Sequence, residues 1–203
     1  SLNAPAQTAA SKGSPDSIAA FRTLCDQYFD ESYFKYSPTA GTLTGFHQYD
    51  TQLEDYSRPA IESQIVTLHS FEKKFAAIAA GGLDEEAQGD LELVLGNVKS
   101  VLLTLETIRP WEKNPDTYSS GITNSAFSIM ERKFASPDER LKSLVARERQ
   151  MPAALASARS NLKNPPRIYT EIAIQQIPGI IGFFKSDVPL AFQDAQDPAV
   201  KAN

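Results

Sequence analysis

Apolar side chains recur along most of this chain in steps of three and four. In the clearest stretch, Ile61, Ile65, Leu68, Phe71, Phe75 and Ile78 lie on one face of a 3.6-residue helix. Leu91, Val94, Val98, Val101, Leu105 and Ile108 repeat the pattern. The first stripe predicts a helix from Pro59 that Gly81-Gly82 closes, and the second a helix from about Asp84 to Pro110. The short connection makes them antiparallel neighbours. Each side chain buried along such a seam contributes about 1.5 to 3 kcal/mol, against roughly 1 kcal/mol lost at an interior glycine such as Gly96.

The rest of the chain is punctuated in the same way. Ser14-Pro15-Asp16 caps a helix that should run to about Tyr36, and Ser37-Pro38-Thr39 caps a short one ending near Gly45. Gly45 to Asp50 reads as a structured loop. Tyr118, Ile122, Phe127, Met130 and Phe134 mark another helix. Ser136-Pro137-Asp138-Glu139 has capping-box spacing and opens a long helix to about Lys163, kinked near Pro152. Beyond Asn164-Pro165-Pro166, the residues Ile168, Ile172, Ile177, Ile181, Phe184 and Val188 mark a last helix, interrupted at Pro178-Gly179 and at Pro189. There is no strand alternation, no βαβ rhythm and no fixed-length repeat. The expected fold is all-α: an antiparallel array of six or seven helices over residues 14–193, after a flexible leader at 1–13 and before an irregular tail at 194–203.

A net charge of -5 and a pI near 5.1, with no clustered Lys or Arg, argue against nucleic acid as a partner. The longest apolar run, around Ile180 to Phe184, is far short of the roughly 20 residues of a membrane-spanning helix. The single cysteine, Cys25, sits among Phe21, Leu24, Tyr28 and Phe29, where a buried thiol is expected.

Hydrolytic metal chemistry needs ligands that this chain lacks. It has two histidines, His47 and His69, and no His-Glu-x-x-His, so no zinc site of the peptidase kind can be assembled and no cofactor is expected within it. A Gly-x-Ser-x-Gly elbow and a glycine-rich phosphate loop are likewise missing. His69 falls beside the apolar face of its helix and reads as a core-edge histidine. The loop at 45–50 is richer, because His47, Tyr49 and Asp50 can build a small polar cluster. The competing reading has Asp50 capping a turn while His47 and Tyr49 pack the loop onto the bundle. Glu148 fits a seam position between Arg147 and Arg149, as either an internal ion pair or part of a surface charge cluster. Glu171 and Gln175 share a helical face that either lines a cleft or is simply solvated.

Several landmarks occur in a set order: Thr44-Gly45-Phe46-His47-Gln48-Tyr49-Asp50, Lys113 to Tyr118, Arg149 to Pro152, Ala158 to Leu162, and Pro165-Pro166 with Glu171 to Gln175. In these the chain resembles the bacterial domain-of-unknown-function family 885, whose members resemble zincin metallopeptidases. The similarity runs over about residues 18 to 192. It implies the N-terminal part of a zincin-like long-helix fold, in a parent roughly three times longer that is exported, periplasmic or lipid-anchored. Zinc is then expected in the full-length parent, on a His-Glu-x-x-His helix beyond residue 203. By the same analogy this part forms a wall of the cleft, lined by His47, Tyr49, Asp50 and Tyr118, with the C-terminal part of the same protein and peptides as partners. The alternatives are a non-catalytic helical module that binds a peptide or protein, and a purely structural scaffold. A part separated from the rest should expose apolar surface where the remainder docks.

Overall fold

A computed structural model describes residues 13–198; most of the expected leader and the end of the tail lie outside the described residues. Among the described residues there are helices and no strand. Helix α1 (Pro15–Tyr28) passes through a π turn (Phe29–Tyr33) into α2 (Phe34–Tyr36) without leaving helical backbone, as the stripe to Tyr36 predicts. α3 (Pro38–Thr44) stops at Gly45, whose φ of 93° favours glycine. After a 3₁₀ turn at His47–Tyr49 come α4 (Arg58–Ala76) and α5 (Glu85–Leu102). They are capped by Ser57 and Asp84, whose side chains accept from Ala60 N and Ala87 N. A π turn (Leu103–Ile108) and α6 (Pro110–Lys113) lead to α7 (Asp116–Glu131), α8 (Pro137–Glu148) and α9 (Met151–Asn161). α10 (Arg167–Gly182), a π turn (Phe183–Asp187) and α11 (Val188–Ala191) follow.

Two cores hold the array. α1, α4 and α5 enclose Phe21, Tyr28, Leu68, Phe71, Phe75, Leu91 and Val98, with the ring of Tyr28 meeting those of Phe71 and Phe75 edge to face. α7, α8 and α11 enclose Ala126, Ile129, Leu144, Val188 and Phe192. A small cluster of Leu53, Ile122 and Ala154 joins the loop before α4 to α7 and α9. The capping box at Ser136 and Glu139 forms with both of its hydrogen bonds.

The structure departs from the sequence expectations in four places. The helix expected from Ser136 to Lys163 is two helices, because Pro152 has no N–H and its ring excludes the carbonyl of residue 148. Gln150 seals the break: its Nε2 donates to Ala146 O (2.7 Å) and Thr51 O (2.9 Å), and its Oε1 accepts from Leu53 N. Pro178 does not interrupt α10, which continues to Gly182; Ile174, whose carbonyl loses its donor, is 59% exposed, so water can satisfy it. Gly81-Gly82 lies in a separate 3₁₀ turn, four residues beyond the end of α4 at Ala76. The isoleucines of α10 do not form a buried stripe, since Ile168, Ile172, Ile177 and Ile181 are all exposed and Ala173 alone on this helix is buried.

Candidate functional site

The loop that follows α3 is locked in place from beneath. Gly41 lets the ring of Tyr49 lie against the α3 backbone, for a Cβ there would stand 2.7 Å from Tyr49 Cδ2. The same ring packs against Phe34 at 5.5 Å. Glu54 accepts from Thr39 N and Thr39 Oγ1, tying the far end of the loop to the start of α3.

With the loop fixed, Asp50 turns inward and His47 stays at the surface. The side chain of Asp50 is 6% exposed and that of His47 43%. Asp50 Oδ2 meets His47 Nδ1 at 3.0 Å, and Oδ1 accepts from Thr42 Oγ1 at 2.6 Å. The imidazole also stacks on Phe134, with centroids 4.1 Å apart and planes 20° from parallel. Nδ1 is thereby committed to the carboxylate, leaving Nε2 as the nitrogen open to a ligand.

Arg147 closes the arrangement from below. This guanidinium is wholly buried, a costly position for an arginine, and both of its terminal nitrogens find partners while Nε has none among the described residues. Nη1 donates to Ser125 O (2.7 Å) and Ser128 Oγ (3.1 Å) on α7; Nη2 donates to Thr42 Oγ1 (2.6 Å) and Tyr49 O (3.4 Å). Burial pulls the Arg147 pKa below its ordinary value, while Glu54 and Asp50 act to raise it. Thr42 therefore relays the buried positive charge to the buried carboxylate, and the carboxylate orients the exposed imidazole.

The expected site residues are thus divided. His47 and Asp50 are brought together. Tyr49 joins them through its backbone carbonyl, its ring serving to pack the loop. Tyr118 belongs elsewhere: it is 1% exposed, donates to Trp111 O at 2.5 Å, accepts from Asn161 Nδ2 at 3.1 Å, and has its ring beside Tyr56. It borders a groove of about 270 Å³ with Pro115, Leu155 and Ala173, but its hydroxyl points inward. Sequence reading missed Thr42 and Arg147. For Arg147 a signal exists, because Leu144, Arg147 and Met151 continue the steps of three and four that mark a buried face. The buried charges on α8 are accordingly Arg140 and Arg147, and the carboxyl of Glu148, next to Arg147, is pushed up by burial. His69 is surface-exposed and bridges Glu106 (2.9 Å) and Glu72 (3.4 Å), which raise its pKa, Glu106 most.

Among the described residues, no group of three or more His, Cys, Asp or Glu side chains converges as metal ligands would. No hydroxyl or thiol among them is hydrogen-bonded to His47 Nε2 either, so the pair has an orienting acid and an imidazole but no partnered nucleophile.

The fold has a solved counterpart, a protein from Shewanella oneidensis described as a lipoprotein of unknown function, with a TM-score of 0.79 and 24% identity. The match covers 90% of this chain and 33% of that one, so the chain spans about a third of the length of the structure it resembles. No curated protein matches. The sequence profile described as "Bacterial protein of unknown function (DUF885)" matches residues 38–203. The chain belongs to this bacterial family of proteins of unknown function.

Proposed function

We propose that this chain is the helical, cleft-forming N-terminal part of a larger exported hydrolase of the zinc metallopeptidase kind, and that His47 is the group it presents to a peptide. The observation that carries the reading is the oriented imidazole: a 43%-exposed side chain fixed by a carboxylate that is linked through the Thr42 hydroxyl to a buried arginine. Such a frame is costly to build. A surface histidine that only packs a loop needs no buried cation behind it. With Nδ1 on Asp50, Nε2 accepts from a peptide N–H when the ring is neutral and donates to a peptide carbonyl when it is protonated. The resemblance to zincin relatives supports the peptidase class, and zinc would be held by polypeptide outside this chain. Export or lipid anchoring is supported by the description of the solved counterpart as a lipoprotein.

The test is turnover of a cleavable peptide by the intact protein. His47→Ala should lower turnover about tenfold, the worth of one lost hydrogen bond of roughly 1.4 kcal/mol, with the helical circular dichroism unchanged. Unchanged turnover removes His47 from the site. A wild-type protein that cleaves no peptide with zinc supplied removes the peptidase reading.

A further inference from the structure

The outermost long helix, α10, carries no charged residue between Glu171 and Lys185, yet it lies against the bundle by a narrow seam. Seven of the sixteen exposed large apolar side chains among the described residues fall between Ile168 and Leu190, so apolar exposure is concentrated here. At about 100° per residue, Ile168 and Ile172 form one row and Ile174, Ile177 and Ile181 another, with the buried Ala173 between them. The helix is therefore apolar on both flanks of its contact, the pattern of a helix enclosed on all sides. Where α10 faces α7, Ser120, Thr123 and Asn124 meet Gly179 and Ile180 across shallow clefts of about 310 to 400 Å³, one of them also lined by Phe127 and Phe183. Of the two rows, Ile177 borders the groove beside Leu155 and Leu162 yet stays 45% exposed.

We propose that α10 is the docking helix for further polypeptide of the same molecule, which covers both isoleucine rows with an uncharged, apolar face. The proposal rests on the reading of this chain as part of a larger protein, and not on His47 or on peptidase activity. Length points to the occupant: in the solved counterpart this fold accounts for 33% of the chain, which leaves two-thirds of that chain to supply a covering. A covering of that size suits a helix that is apolar on two sides better than a second copy does, since a two-fold contact would bury one row and leave the other in water.

Cysteine mapping tests this directly. Ile172→Cys and Ile177→Cys, one from each row, are placed separately in a Cys25→Ser background, both in the full-length gene product and in this 203-residue chain. The full-length product should react with a maleimide about tenfold or more slowly at both positions, because reaction then waits for local opening, while the 203-residue chain reacts freely at low concentration. Equal rates in the two proteins overturn the proposal, as does a gene product no longer than this chain. Protection that appears in the 203-residue chain as its concentration rises identifies a second copy as the occupant. Protection of the full-length product only after lipid vesicles are added identifies a membrane surface, and either result also overturns it. None of these outcomes depends on peptide turnover, so the fate of His47 is decided separately.

Discussion

Thr42→Val tests the buried relay with little change of shape. Thr42, Asp50 and Arg147 are 1%, 4% and 0% exposed, so water cannot replace a hydroxyl lost between them. That hydroxyl accepts from Arg147 Nη2 and donates to Asp50 Oδ1, both at 2.6 Å. Hydrogen bonds to charged groups contribute about 1.5 to 3 kcal/mol each, so losing both should cost roughly 3 to 5 kcal/mol after some relaxation. For a domain of this size 1 kcal/mol shifts Tm by about 2 to 4 °C, which gives a fall of roughly 6 to 20 °C. Thr42→Ser keeps the hydroxyl and loses one methyl, so it should cost only about 1 kcal/mol. Urea unfolding followed by Trp111 fluorescence measures both; this sole tryptophan is 5% exposed, with its ring N–H bonded to Leu105 O. A valine variant within 1 kcal/mol of wild type would refute the relay, and so would a serine variant as unstable as the valine one.

The Cys25 thiol is pushed up to about 11, by burial first and then by Asp90 and Asp26, so its alkylation rate should keep rising past pH 10. A plateau below pH 9 would contradict this. His69, raised chiefly by its hydrogen bond to Glu106, should titrate by NMR above its ordinary 6.5 and fall back in Glu106→Gln. Because its folded pKa is the higher one, its stabilising contribution is full below the unfolded value and is lost as pH rises through the folded value; a His69 titration at or below 6.5 would refute the bridge. Gly121→Ala would drive a Cβ into the Tyr56 hydroxyl and should destabilise by about 1 to 3 kcal/mol, a loss that Tyr56→Phe partly relieves. An alanine variant as stable as wild type in the same urea titration would refute the contact.

The helices were legible because their signals are local. Ser14, Ser57, Asp84 and Ser136 each immediately precede a helix, and Gly45 ends one where a left-handed residue is required. What periodicity does not encode is the partner of an apolar face. The stripe of α10 read as a buried seam like those of α4 and α5, but most of it faces outward. Tyr118 shows the same limit, since an aromatic on a helical stripe looks alike in sequence whether its hydroxyl lines a cleft or, as here, bonds inward to Trp111 O. The His47 and Asp50 pair could be read because three residues separate them on a short turn. Thr42 and Arg147 stand 105 positions apart, and only the packing of α3 against α7 and α8 brings them together.

The central claim is that the buried frame holds the His47 imidazole with Nδ1 toward Asp50 and Nε2 free. Long-range ¹H–¹⁵N NMR of the neutral ring reads this directly, since nitrogen shifts report which atom carries the proton. The account predicts the Nδ1–H tautomer in wild type and its loss in Asp50→Asn and in Thr42→Val. A ring protonated mainly at Nε2 in wild type, or a tautomer that ignores both substitutions, would contradict it.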